Sequence, residues 1–132
     1  MSFIQTRFYE NSNAASDECI KYILQKDPIV WTHHFRNENI RLNEHFLLTL
    51  EEFKLVPNNY KSAYKKIEIN DIAVMNCLVE EKVCSVDGTY QVTADTGNEK
   101  IALAGNWKVY FEKDDEFGYW YIYEVQIEGI NF

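Results

Sequence analysis

The stretch KIALAGNWKVYFE, residues 100–112, carries the pattern that decides the fold. Apolar, aromatic and β-branched residues recur in it with a period of two, which is typical of a strand with one buried face. Residues 119–129, YWYIYEVQIEG, repeat this character after a run of turn-forming residues at Asp114 to Gly118. Two such segments joined by a turn predict an antiparallel hairpin.

The same period extends back to Tyr60. Three earlier segments, residues 60–69, 72–86 and 89–94, are also rich in β-branched and aromatic residues. Asn, Asp and Gly favour turns, so they predict chain reversals at Asn70-Asp71, Asp87-Gly88, Asp95–Asn98 and Asp114–Gly118. The chain after Tyr60 is therefore predicted to be a meander of antiparallel strands.

Helices are predicted before this meander. Ser16 can cap a helix that runs to about Lys26, since Ile20, Ile23 and Leu24 fall on one helical face. A shorter helix with Phe3, Ile4 and Phe8 on one side is predicted to end near Asn11 to Asn13.

A further helix is predicted at Glu44 to Phe53, with Asn43 as its N-cap and Phe46, Leu47, Leu50 and Phe53 as its apolar stripe. Thr49-x-x-Glu52 has the spacing of a capping box, but its position inside this stripe indicates helix interior. Helices followed by strands predict an α+β fold, with N-terminal helices packed on one face of a strongly curved antiparallel sheet. The 132 residues contain no linker or repeat, so we expect a single domain over residues 1–132.

Composition restricts the partners. The 13 basic and 21 acidic residues give a net charge of −8, which disfavours nucleic acid and anionic lipid as partners. The negative charge either keeps the protein soluble or steers a basic protein partner toward it. There is no apolar run of about 18 residues and no signal-peptide pattern, so we expect a cytoplasmic protein. Cys19, Cys77 and Cys84 form no C-x-x-C pair and predict free thiols. We expect no metal and no cofactor.

Four local patterns occur in a characteristic order. The first is an apolar-Trp-Thr-His strand at Ile29–His33, and the second is a short polar turn at Phe35–Asn39 followed by the predicted helix at Glu44–Phe53. The third is a polar-Asp-x-Ala-Val strand start at Asn70–Val74, and the fourth is a charged turn at Glu112–Asp115 before Trp120–Ile122. This order resembles the nuclear transport factor 2-like superfamily, which includes ketosteroid-isomerase-like and polyketide-cyclase-like domains. The resemblance covers about residues 16–128. It implies a cone-shaped, cystatin-like roll and a homodimer. The family's long first helix would be missing, because only about 15 residues precede Ser16.

Two histidines lie in the first of these patterns. Alternation in a strand puts Trp31 and His33 on one face and His34 on the other. The resemblance implies that Trp31 and His33 face the cone interior, where His33 is either a hydrogen-bonding group or general base, or a structural histidine bonded to a backbone carbonyl. His45 together with one of these histidines lacks the spacing of a metal motif, so no metal site is predicted.

The last strand predicts two different faces. Trp120, Ile122, Glu124 and Gln126 alternate onto one face, and Tyr119, Tyr121, Tyr123, Val125 and Ile127 onto the other. By resemblance the first face lies under the helices, where Glu124 could act as an acid or base; an exposed or paired Glu124 is the alternative. The tyrosine face predicts an interface, in a homodimer by resemblance, unless the N-terminal segment covers it.

The resemblance implies a small-molecule-binding domain, either a binding protein or an isomerase- or cyclase-type enzyme. Its expected ligand is small and apolar, and its candidate site residues are Trp31, His33, Tyr60, Trp107, Trp120 and Glu124. The family's catalytic carboxylates have no match here, because the aspartates of the predicted strand region fall in predicted turns, at Asp71, Asp87, Asp95, Asp114 and Asp115. The alternative is a non-catalytic interaction module, such as an acidic dimer or an inhibitor of a basic protein.

Overall fold

The computed structural model describes residues 3–25, 35–36, 38–44, 46–56, 64–116 and 118–130. The predicted strand at Ile29–His34, which carries Trp31 and His33, lies outside these residues, and so does Tyr60. The interpretations that concern those side chains stay predictions.

The first element is one continuous helix, α1 (Phe3–Gln25). The prediction of two helices separated near Asn11 to Asn13 is wrong, and Ser16 lies in the helix interior rather than at a cap. Asn and Ser are weak helix formers, but without Pro or Gly nothing in this stretch breaks the helix. The predicted core residues Ile20, Ile23 and Leu24 are fully buried. The chain therefore does have a long first helix.

The prediction of a helix over Glu44–Phe53 is wrong. The segment begins instead as a short hairpin of β1 (Ile40–Leu42) and β2 (Phe46–Leu48), followed by a four-residue helix, α2 (Leu50–Phe53). Asn43 and Glu44 both have positive φ, 49° and 64°, so the backbone reverses where a helix was expected to start.

One tertiary contact and one local capping box explain why the helix does not start at Glu44. The Asn43 side chain accepts a hydrogen bond from the Ile127 amide (2.7 Å) and donates one to the Ile127 carbonyl (3.2 Å), so it joins β1 to the last strand instead of capping a helix. Thr49 and Glu52 form a true capping box, with Thr49 N to Glu52 Oε1 at 3.0 Å and Glu52 N to Thr49 Oγ1 at 3.2 Å. The helix thus starts at Leu50.

The predicted antiparallel meander is confirmed, but four strands replace the five predicted segments. Its strands are β3 (Lys66–Glu80), β4 (Val83–Asp95), β5 (Lys100–Lys113) and β6 (Trp120–Ile127). Within the described residues these strands and the first hairpin form one curved sheet in the order β2-β1-β6-β5-β4-β3. All pairings of these strands are antiparallel except that of β1 with β6, which is parallel. The predicted α+β class is confirmed.

Half of the predicted turns are correct. Asp95–Asn98 and Asp114–Gly118 connect strands, whereas Asn70-Asp71 lies at a bulge inside β3 and Asp87-Gly88 lies inside β4. The reversal between β3 and β4 occurs at Glu81, whose φ is 46°. Asp-Gly favours a turn when no distant residue packs on it. Here the strand continues because the Trp107 side chain of β5 covers Gly88.

The sheet has an inner face, on which α1 packs, and an outer face opposite to it. The inner face carries Val86, Tyr90, Trp107 and Phe111, each of which is nearly or fully buried. Ser12 of α1 contacts Cys77 of this face. Among the residues described, no helix combines the length and apolar character that a membrane crossing needs.

A bulge in β6 overturns the predicted alternation of the last strand. Tyr110 pairs with Glu124 but Phe111 pairs with Ile122, so Tyr123 is an extra residue in the ladder. Trp120 and Ile122 therefore share the inner face with Val125 and Ile127, while Glu124 and Gln126 project from the outer face. The prediction that Glu124 lies beside Trp120 is wrong for this reason.

Candidate functional site

A cleft with a volume of about 800 Å³ runs across the middle of the sheet. We call it the cross-sheet cleft. It is lined by Asn43, Glu44, Met75, Asn76, Asp87, Gly88, Thr89, Asn106, Trp107, Lys108 and the segment Gln126–Ile130. These residues come from the end of β1, the centres of β3, β4 and β5, and the end of β6.

Four side chains form a polar row along this cleft: Asn76, Asp87, Lys108 and Gln126. Each is the direct cross-strand partner of the next, so all four project from the same face of the sheet. That face is the outer one, because their sequence neighbours Cys77, Val86 and Val109 point inward, toward α1 or the core. The row thus spans four strands without an apolar interruption.

Hydrogen bonds fix both ends of the polar row. Asn76 Nδ2 donates to Asp87 Oδ1 at 3.0 Å. At the other end, Gln126 Nε2 donates to Glu124 Oε2 at 2.8 Å and to Glu44 Oε1 at 3.3 Å. Carboxylate oxygens at both ends keep further acceptor capacity for a ligand.

The charge of the lining is mainly negative. Glu44, Asp87 and Glu128 line the cleft together with one basic residue, Lys108. Lys108 Nζ lies 5.1 Å from the centre of the Tyr110 ring, a distance at which the cation is attracted to the ring face. A ligand would therefore meet several hydrogen-bond acceptors and one ordered ammonium group.

Packing on the inner side sets the position of the cleft. A Cβ atom at Gly88 would lie 1.9 Å from the Ala73 carbonyl oxygen and 2.6 Å from Trp107 Cζ2, so β4 requires glycine here. Trp107 Nε1 donates to the Thr89 carbonyl oxygen at 3.0 Å and holds the indole across Gly88. Opposite Gly88, β3 has a register shift between Val74 and Asn76, which bends that strand.

The predicted site residues that the structure describes do not form one group. Trp107 borders the cleft, but its side chain is buried in the core. Trp120 is half-buried on the inner face, where it packs against the core. Glu124 is half-buried on the outer face and contacts the cleft residue Gln126, whose side chain donates a hydrogen bond to it.

Asp87 is a cleft residue whose position differs from the prediction, because it lies inside β4. Asp87-Gly88 was predicted to be a turn, although a signal for a strand was present in the sequence. Residues Cys84, Val86, Tyr90, Val92 and Ala94 keep a strict period of two on both sides of Gly88. That alternation would have placed Asp87 on the polar face of a continuous strand.

The outer face also carries a group of aromatic side chains that we call the tyrosine surface: Tyr110, Tyr119, Tyr121 and Tyr123. Their rings pack in pairs, with centres 6.0 Å apart for Tyr110 and Tyr123 and 6.5 Å apart for Tyr119 and Tyr121. Tyr119 is 61% exposed. The prediction that Tyr121 and Tyr123 lie on one face is confirmed, but Val125 and Ile127 are on the other.

Tyr123 has a charged environment. Its pKa is raised chiefly by burial and further by the carboxylates of Glu124 and Glu112. Arg36 lies 5.9 Å from the centre of its ring and 3.5 Å from Glu112, and it offsets part of this effect. Tyr123 therefore remains a neutral hydrogen-bonding group well above neutral pH.

The sequence matches no family model and no curated protein sequence. Solved structures do match. One is a nuclear transport factor 2-like superfamily protein from Salmonella enterica, with a TM-score of 0.63 and 13% identity over 98% of this chain and 94% of that chain. Another is a conserved protein from Planctomyces limnophilus, with a TM-score of 0.57 and 14% identity over 89% of this chain and 95% of that chain.

A third match is a proposed scytalone dehydratase from Novosphingobium aromaticivorans, with a TM-score of 0.55 and 13% identity over 98% of this chain and 85% of that chain. With its N-terminal helix on one face of a curved, mostly antiparallel sheet, this chain is a cone-shaped α+β protein. Within that class it has the nuclear transport factor 2-like fold, and the predicted resemblance is confirmed at the level of fold.

Proposed function

We propose that this protein binds a small polar molecule in the cross-sheet cleft. The observation that carries the proposal is the polar row, in which Asn76, Asp87, Lys108 and Gln126 follow one another across four strands. Side chains on paired strands are held by the sheet itself, so such a row is pre-organised for hydrogen bonding. One matched structure is a proposed scytalone dehydratase, and that match supports the binding of a small molecule by this fold.

The lining favours a ligand with a positive charge and several hydrogen-bonding groups. Glu44, Asp87 and Glu128 outnumber Lys108, and the chain as a whole carries a net charge of −8. A purely apolar ligand would leave these groups desolvated without partners, which is unfavourable. We therefore propose an amine or amino sugar in place of the apolar ligand expected from the sequence. The site that the resemblance implies at Trp31, His33, Tyr60, Trp107, Trp120 and Glu124 stays a prediction, and three of these residues, Trp31, His33 and Tyr60, lie outside the described residues.

The test is ligand-observed NMR of the purified protein with a panel of amines, amino sugars and carboxylic acids. We expect binding of members of the cationic group. Asp87→Ala should weaken that binding by about tenfold, because a charge-assisted hydrogen bond of ordinary strength is lost. Gln91→Ala is the matched control, since Gln91 is exposed on the same strand and outside the cleft.

Two results would contradict this function. One is the absence of binding across the whole panel. The other is a ligand whose affinity is unchanged in both Asp87→Ala and Lys108→Ala, since that ligand would be bound outside the polar row.

The tyrosine surface favours a second candidate function, a homodimer or other protein complex formed through the outer face. Besides the tyrosines, this face exposes Leu78 (57%) and Val83 (42%), and the bulge residue Met75 is 63% exposed. Aromatic residues and Met are enriched in interfaces, and exposed apolar side chains grouped on one face mark such surfaces. A dimer of this kind would place the cleft beside the interface.

A further inference from the structure

Two cysteines are neighbours on the inner face of the β3–β4 hairpin. Cys77 pairs with Val86 and Cys84 pairs with Val79, so the two thiols occupy diagonal positions of adjacent strands. Their sulfur atoms are 3.9 Å apart. The free thiols predicted from the sequence are thus arranged as one close pair and a separate cysteine, Cys19, on α1.

The two members of the pair differ in accessibility. Cys84 is fully buried, whereas Cys77 is half-buried and contacts the Ser12 hydroxyl of α1 at 3.7 Å. The pKa of Cys84 is raised to about 12, chiefly by burial and next by the neighbouring Cys77. Cys77 is the more accessible thiol, so a reagent from solvent reaches it first. The raised pKa of Cys84 further disfavours its thiolate, which is the reactive form of a cysteine.

We propose that Cys77 and Cys84 are a modification site that closes to an intramolecular disulfide when the protein meets a low-molecular-weight disulfide such as oxidised glutathione. A disulfide bond is about 2.05 Å long, so the sulfur atoms must approach by about 2 Å. Because the two cysteines are diagonal neighbours, closing this gap requires side-chain rotation together with a small approach of the two strands, without a change of strand register. The bond would span β3 and β4 beneath α1.

The reaction balances as two exchanges. The Cys77 thiolate attacks one glutathione sulfur, a mixed disulfide forms, and the first glutathione leaves as a thiolate that takes up the proton from Cys77. Cys84 then loses its proton and attacks Cys77 Sγ, and the second glutathione leaves as a thiol. The protein is oxidised by two electrons, and oxidised glutathione is reduced to two thiols.

The second exchange should be slower than the first. Burial keeps Cys84 protonated near neutral pH, so few molecules carry the thiolate that releases the second glutathione. The mixed disulfide at Cys77 is therefore expected as a transient species that decays into the intramolecular bond.

The test uses the full chain, incubated with excess oxidised glutathione, then denatured and alkylated with iodoacetamide before mass spectrometry. We expect a monomer that has lost about 2 Da, the two thiol hydrogens, and that takes up one alkyl group, at Cys19. Peptide mapping should find Cys77 joined to Cys84. A glutathione adduct that does not decay, a disulfide to Cys19, a disulfide between two chains, or three alkylated thiols would each overturn the proposal.

Variants separate the pair from a general sensitivity to oxidation. Cys77→Ser and Cys84→Ser should each abolish the intramolecular bond, and Cys84→Ser should retain glutathione on Cys77. Cys19→Ala is the control that should leave the bond unchanged. Since Cys84 is buried and its variant could fail to fold, Cys77→Ser, at the half-buried position, provides the independent comparison.

Discussion

Gly88 determines the local shape of the sheet because no side chain fits there. A Cβ atom would meet both the Ala73 carbonyl oxygen and the Trp107 ring, so the strand and the indole cannot both keep their positions. Gly88→Ala should therefore lower the free energy of unfolding by about 1 to 3 kcal/mol, as overpacking of cores does. Urea unfolding measures this change.

The control for this prediction is Gln91→Ala on the exposed face of the same strand, which should change stability by less than about 0.5 kcal/mol. Equal stability of Gly88→Ala and the wild type would mean that the indole does not occupy the space above Gly88.

Tyr90 links the core to the end of the last strand. Its hydroxyl donates a hydrogen bond to the Glu128 carbonyl oxygen at 2.6 Å, and its pKa is raised to about 12 by burial, then by Glu128 and Tyr64. In the unfolded chain this group ionises near pH 10, whereas in the folded chain it stays neutral. Its contribution to stability is therefore complete below about pH 10 and is lost as the pH rises to about 12.

We expect the free energy of unfolding to fall between about pH 10 and about pH 12, and to fall less steeply in Tyr90→Phe. Urea unfolding over this range, with the absorbance of tyrosinate recorded in parallel, tests the expectation. Part of the slope should remain, since the pKa of Tyr123 is also raised. Gln91→Ala, a change at an exposed and non-titrating position of the same strand, should match the wild type, and an unaltered slope in Tyr90→Phe would refute the assignment.

At the scale of elements, the positions of Ser16 and Thr49 are the reverse of those predicted. Ser16 was expected to cap a helix but lies inside α1, and Thr49 was expected inside a helix but caps α2. Ser16 is buried inside α1, and its hydroxyl has no hydrogen-bond partner among the described residues. Ser16→Ala should therefore keep or raise the free energy of unfolding, by up to about 1 kcal/mol. Thr49 caps α2, so Thr49→Ala should lower it by about 1 kcal/mol.

Thermal and urea unfolding of both variants distinguishes the two arrangements. Thr49→Ser, which keeps the capping hydroxyl, is the control and should stay close to the wild type. A loss of about 1 kcal/mol in Ser16→Ala would instead support the N-cap that the sequence predicted and a break in α1.

At the scale of the whole molecule, the tyrosine surface predicts self-association. Sedimentation at micromolar concentration should give twice the 15.6 kDa mass of the chain. Replacing Tyr121 and Tyr123 by Glu should return it to the monomer, because two charges would be buried without partners. Leu55→Glu, an exposed change outside the sheet, should remain dimeric. A monomeric wild type would exclude the homodimer.

The sequence by itself determined the elements whose causes are local. Period-two alternation predicted β5 and β6 and the strand character of β3 and β4, although it misplaced the reversal between β3 and β4. Asp95 and Asp114 determined the two correct turns because each carboxylate accepts a hydrogen bond from an amide two residues later. These signals are sufficient for an α+β chain with an antiparallel meander. They also placed Tyr121 and Tyr123 together on one side of the last strand.

Contacts between residues distant in sequence decided the remaining features, and only the tertiary structure shows these contacts. Gly88 continues a strand because Trp107 covers it, and Asn43 turns the chain because Ile127 binds its side chain. The extra residue at Tyr123 changes which side chains reach the outer face, so Gln126 joins the cleft and Glu124 leaves the inner face. Alternation along one strand cannot reveal such a bulge, because its position is set by pairing with the neighbouring strand.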